Sequence, residues 1–138
     1  MNWNELLKAH RFRLKDRNRT TLEEFQYDYS KIIFSSAFRR LQNKTQVFPL
    51  STNDFVRTRL THSLEVSNIA ANIGRGVEKE LIKKGIISLD KNGFISTILG
   101  GASLVHDIGN PPFGHFGEEV IQEYFKNLFF SLMDKTNP

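Results

Sequence analysis

The sequence contains no cysteine, which excludes disulfides, thiolate zinc sites and thiol nucleophiles and is in keeping with a reducing compartment. No apolar run approaches the ~20 residues of a membrane span, and the start, Met-Asn-Trp-Asn-Glu-Leu-Leu-Lys, has no basic-then-apolar leader. The chain is therefore expected off the membrane and in the cytoplasm. Internal repeats and low-complexity tracts are also missing. What is present suits one small soluble domain: 138 residues, 25% charged and 39% hydrophobic. The formal charge is +4, and His10, Arg11, Arg13, Lys15, Arg17 and Arg19 crowd one short stretch. Such a run is either a solvated segment or a surface for an anion, such as a nucleotide's phosphates or a nucleic-acid backbone.

Periodicity predicts helices throughout. Trp3 to Leu7 reads as a short helical turn. Ile33, Phe34, Ala37, Phe38 and Leu41 follow helical spacing within Asp28 to Leu41. Thr45 to Leu50 reads as extended ahead of its proline context, and Ser51 to Asp54 as a turn. A long helix is expected from about Arg57 to Lys84, with Val66, Ile69, Ala70, Ile73, Val77 and Leu81 as its inward stripe. Another runs from about Ile95 to Ile108, burying Ile98, Leu99, Ala102 and Val105, with Gly109 as its cap. The last starts near Gly117, and Val120, Ile121, Tyr124, Phe125, Leu128 and Leu132 line one side. The expected class is all-α. The apolar ending, Leu128 to Met133, expects a partner surface and reads as part of something longer.

His62 lies four residues before Val66, and His106 four after Ala102, so both imidazoles are expected on inward faces where they converge. A single such histidine is more often a hydrogen-bonded core residue than a ligand. Two of them, one followed directly by Asp107, suit a hard to intermediate divalent metal: manganese, magnesium, iron or zinc. The next segment, Ile108-Gly109-Asn110-Pro111-Pro112-Phe113-Gly114-His115-Phe116-Gly117-Glu118, sets a tight backbone path. It places Glu118 three residues after His115, where a carboxylate could orient an imidazole for acid–base work. The ordinary alternative is a loop histidine beside a helix N-terminal acid. Arg59, three residues before His62, is suited to grip a phosphate, or else to form a salt bridge. Gln46 could hydrogen-bond a sugar or base edge.

With these residues the sequence resembles the HD superfamily, marked by His … His-Asp … Asp. More narrowly it resembles the bacterial deoxyguanosinetriphosphate triphosphohydrolases, over Ser35 to Leu50 (SSAFRRLQNKTQVFPL), Arg57 to Val66 (RTRLTHSLEV) and His106 to Glu118 (HDIGNPPFGHFGE). With weaker matches between them, the resemblance runs from about Tyr27 to Tyr124. It implies an HD-domain helical fold, with 1–26 a basic N-terminal segment and 27–138 the N-terminal part of the HD domain. It implies hydrolysis of dGTP or another dNTP to the deoxynucleoside and inorganic triphosphate with a divalent metal, Mg2+ or Mn2+ first. His62, His106 and Asp107 match metal ligands, His115 an acid–base residue supported by Glu118, and Gln46 and Arg59 nucleotide contacts. Homo-oligomers and single-stranded DNA binding are further implications. The family's fourth ligand is a distant aspartate that Asp134 does not match, so the chain alone is expected to show little activity. Another HD-type phosphohydrolase or phosphodiesterase, and a non-catalytic module binding nucleotide or nucleic acid, remain open alternatives.

Overall fold

The computed structural model describes residues 2–10, 18–44, 57–111 and 113–135, and among these the protein is all-α, with no β-strand. It divides into two units, Met1–Ile108 and Gly109–Pro138. The first holds α1 (Trp3–Leu6), α2 (Thr21–Phe34), α3 (Ser36–Arg39) with a 3-10 turn at Arg40–Asn43, α4 (Arg59–Lys83) and α5 (Phe94–Val105). The second holds α6 (Gly114–Lys135). The stretches expected to be extended or turn-like, Thr45 to Leu50 and Ser51 to Asp54, lie outside the described residues.

Local chemistry explains where α2 begins and ends. The Thr20 hydroxyl accepts from the Glu23 N–H at 3.3 Å, and the Glu23 carboxylate accepts from the Thr20 N–H at 2.6 Å. This reciprocal cap satisfies donors that a helix start leaves open. The bond from the Thr20 backbone, reinforced by its hydroxyl, holds the Glu23 carboxyl below its ordinary range. At the other end Ser35 turns extended, and its hydroxyl accepts from the Phe38 N–H at 3.2 Å. The single helix expected over Asp28 to Leu41 is therefore two helices, because the serine side chain offers the backbone a competing bond. α2 also starts within the N-terminal 26 residues, and Trp3, Leu7, Leu22 and Phe25 pack into the core there.

α5 is the buried centre of the first unit. Its N-terminal half meets Leu7 and Ile87 through Phe94 and Ile95. Its C-terminal half meets Phe38 and Leu41 through Leu104. α2 and α4 both pack on it, so apolar residues on more than one side are covered. The expected face is only partly right: Ile98 and Leu99 are half-buried, Ala102 and Val105 exposed, and Phe94, Ile95, Ser96, Gly100, Gly101 and Leu104 are the buried positions.

The contact of α4 with α5 departs further from expectation. Of the predicted inward stripe, Ile69 and Ile73 are each 60% exposed and Val77 is exposed too, while Val66, Ala70 and Leu81 are half-buried. The buried residues are Ser63, Ser67, Gly74 and Glu78. The cause is close approach: a Cβ on Gly74 would lie 2.9 Å from the Ser96 Cα, which leaves no room for a branched side chain. Polar groups survive there because α5's backbone satisfies them. The Ser67 hydroxyl donates to the Gly100 carbonyl at 2.9 Å. Glu78, 1% exposed, accepts from the Gly93 and Ile95 N–H groups at 2.8 and 2.9 Å. Gly93 is the N-cap of α5 and has no side chain for that task, so a carboxylate from α4 serves as the cap and favours the helix's positive end. The contacts Glu78–Gly93, Gly74–Ser96 and Ser67–Gly100 run in opposite chain directions, which makes α4 and α5 an antiparallel hairpin.

In the second unit, Phe113 and Gly114 both take left-handed backbone (φ 67 and 55), and α6 begins at Gly114 rather than near Gly117. Phe125 contacts Tyr124 and Phe129, with ring centroids 5.4 and 6.0 Å apart. Along the predicted apolar side, Val120, Ile121, Tyr124, Phe125 and Leu132 are exposed and Leu128 is half-buried.

Two glycines of α4 test the seam. Alanine favours a helix over glycine by about 1 kcal/mol, but overpacking costs about 1–3 kcal/mol. Gly74→Ala is expected to lower stability in urea denaturation by about 1 kcal/mol or more, because the clash is with backbone. Gly76→Ala, where nothing lies within 4 Å, is expected to raise it by up to about 1 kcal/mol. Equal effects of the two substitutions would contradict the close seam.

Candidate metal centre

The hairpin sets the first turn of α4 beside the last turn of α5. His62 lies in that first turn and His106 is the C-cap of α5. Their rings meet edge to face, with centroids 5.2 Å apart. Asp107 follows in the turn beyond the helix and is 8% exposed. One ligand atom from each of His62, His106 and Asp107 lies within 4.8 Å of the others. The convergence expected from sequence is present, though for a different reason. His106 is exposed and Ala102 before it is exposed, so these histidines meet at the hairpin's end rather than on buried apolar stripes.

The tautomer of His106 follows from its neighbour. Its Nδ1 lies 2.7 Å from the Ser103 carbonyl oxygen, and a carbonyl only accepts, so Nδ1 donates there and Nε2 is the ring nitrogen left for another partner. Nε2 is 4.0 Å from Oδ2 of Asp107. Metal-bound imidazoles commonly donate their second N–H to a carbonyl or carboxylate in this way. Two neutral imidazole nitrogens with one carboxylate oxygen form a donor set for a divalent ion of borderline or hard character. The residues present therefore fit a metal.

Arg59, also in the first turn of α4, donates through Nη1 to Oδ1 of Asp107 at 2.9 Å. Nothing in the sequence spacing pointed to this pair, whose members are 48 residues apart. Arg57 pairs with Glu65 at 3.1 Å on an exposed part of α4. Gln46 and the basic residues Arg11, Arg13, Lys15 and Arg17 lie outside the described residues. Arg19 stacks on Tyr27, 3.9 Å from the ring centroid, and lies 4.0 Å from buried Glu24. A groove of about 600 Å³ runs between α2 and α4 over α5, lined by Gln26, Tyr29, Ser67, Asn68, Arg75 and Thr97 among others, and His62, His106 and Asp107 do not line it.

In the second unit, His115 Nδ1 lies 3.2 Å from Glu118 Oε2 within the first turns of α6. A carboxylate accepts, so Nδ1–H points at Glu118 and Nε2 faces outward on a side chain that is 98% exposed. Glu118 lies beyond the helix's first turn, so its partner is the imidazole rather than the helix terminus. The pair predicted from the three-residue spacing is formed.

Replacing His106 by alanine removes one of three convergent donors and is expected to weaken Mn2+ binding at least about tenfold, read by isothermal titration calorimetry. Unchanged affinity would contradict the donor set.

Comparison with known proteins agrees with this geometry. The family model described as HD domain matches residues 59–135, a span that contains both helices of the hairpin and the His115–Glu118 pair. A deoxyguanosinetriphosphate triphosphohydrolase-like protein of Listeria monocytogenes is 46% identical over 134 residues, covering 92% of this chain and 29% of the relative. One of Synechocystis is 46% identical over 136 residues, covering 94% and 30%. A deoxyguanosinetriphosphate triphosphohydrolase of Enterobacter is 46% identical over 121 residues, covering 85% and 24%. The chain thus spans less than a third of the length of these relatives. Among the described residues no helix is long and apolar enough to cross a membrane. From Arg59 to Lys135, through the hairpin that gathers His62, His106 and Asp107, the chain belongs to the HD domain family.

Proposed function

We propose that the protein carrying this chain is a divalent-metal-dependent phosphohydrolase that converts dGTP, or another dNTP, to the deoxynucleoside and inorganic triphosphate. The observation that carries the reading is the convergence of His62, His106 and Asp107 in a chain whose relatives bear the name deoxyguanosinetriphosphate triphosphohydrolase. A dication held by these three residues, Mg2+ or Mn2+ first and Fe2+ or Zn2+ as alternatives, would polarise a phosphoryl oxygen and acidify water.

The residues of the chain then divide the remaining work. His62 and His106 present neutral nitrogens, and Asp107 supplies the one negative charge of the donor set. His115 moves the proton that the departing 5′ oxygen requires, and Glu118 holds its ring by the Nδ1 bond so that Nε2 does the exchange. Arg59 and Gln46 contact the nucleotide, a reading carried by the resemblance. Oligomer formation and contact with single-stranded DNA belong to the same proposal, as does a cytoplasmic location, where a dNTP substrate resides.

The reaction leaves a distinctive product pair. The full-length protein, incubated with dGTP and Mn2+, is expected to release deoxyguanosine and tripolyphosphate, separable by chromatography and phosphorus NMR. Release of dGMP with pyrophosphate, or of dGDP with phosphate, would overturn the triphosphohydrolase reading. His115→Ala should retain Mn2+ binding while cutting turnover by about a hundredfold or more. Near-normal turnover would remove His115 from the acid–base role.

A further inference from the structure

The geometry points to Arg59 as the built-in counter-ion of the metal centre: its guanidinium neutralises Asp107 whenever no dication is bound, and competes with a dication for that carboxylate. The inference builds on the metal-centre reading but tests separately from it.

Asp107 is 8% exposed, and a carboxylate so far out of water requires a compensating charge. Arg59 supplies it through a 2.9 Å bond from Nη1 to Oδ1. The other carboxylate oxygen, Oδ2, lies toward Nε2 of His106 at 4.0 Å. The two oxygens are thereby divided, one on the guanidinium and one on the imidazole side where the ligand atoms gather. Arg59 is only 30% exposed, so solvent screens the pair incompletely. Its backbone is fixed at the start of α4, where its N–H donates to the Lys44 carbonyl at 2.8 Å. The arginine is therefore anchored one turn from His62, and the pair joins the two ends of the hairpin that carry the ligands.

Charge decides the sign of the effect. Without a dication the Arg59 guanidinium balances the Asp107 carboxylate. A dication arriving at Asp107 meets a positive charge already in place, so the two cations oppose each other. Removing that charge takes its guanidinium partner from the buried Asp107 carboxylate, which destabilises the metal-free protein and strengthens its demand for a dication. Arg59 released from Asp107 on metal binding is then free for a phosphate oxygen, so the counter-ion and nucleotide-contact roles follow one another.

The test is a double-substitution cycle on the full chain, using Arg59→Met, Asp107→Asn and the combination. In the metal-free protein Arg59→Met is expected to lower Tm by about 5 °C, and to lower it much less when Asp107 is already Asn. Equal losses in both backgrounds would overturn the counter-ion. Calorimetric titration with Mn2+ alone is expected to show severalfold tighter binding to Arg59→Met than to the parent. Unchanged or weaker binding would overturn the competition. Should Arg59→Met not fold, Arg59→Lys keeps the charge but loses the two-pronged geometry. It is expected to fold and to recover most of the Tm, and failure of that rescue counts against the proposal. A parent chain that binds no Mn2+ would contradict the metal centre, while the metal-free cycle would still decide the counter-ion.

Discussion

The close antiparallel seam between α4 and α5 is the constraint from which the rest of the site follows. A helix pair can approach this closely only where one surface is nearly flat, and the small residues Ser63, Ser67 and Gly74 make it so. Glu78 determines the register, because its carboxylate spans the Gly93 and Ile95 N–H groups at the start of α5. Ser67 repeats the fastening farther along on the Gly100 carbonyl. With both fixed, the opposite end of the hairpin has no freedom to slide, and His62 must meet His106.

The adjacency of His106 and Asp107 acquires its meaning at that end. His106 still has helical backbone and bonds back to the Ser103 carbonyl, which directs Nε2 outward. Asp107 is past the helix, so its carboxylate turns inward beside Arg59. These two neighbours, at and just past the end of α5, bring candidate ligand atoms within 4.8 Å of each other and of His62.

The helical class and the convergence of His62, His106 and Asp107 were legible in the sequence. Histidine, aspartate and arginine carry their chemistry in their side chains, and the three-residue spacing of His115 and Glu118 fixes a local geometry. What was not legible came from tertiary contact. A hydrophobicity pattern marks Ile69, Ile73 and Val77 of α4 as inward, yet the buried seam positions are Ser63, Ser67, Gly74 and Glu78, and at Gly74 even a Cβ would meet the Ser96 backbone. Ser35 reads as an unremarkable helical position until its hydroxyl caps α3. The Arg59–Asp107 pair joins residues 48 apart, and no periodicity connects positions that only a folded hairpin brings together.

On the proposed function, the hairpin's end holds a dication through two imidazoles and one carboxylate. Electron spin-echo spectroscopy of the Mn2+-loaded chain reads directly which nitrogens touch the ion. Modulation from two histidine nitrogens is expected, reduced to one in His62→Ala. A manganese signal without nitrogen coupling, or one unaltered in His62→Ala, would contradict it.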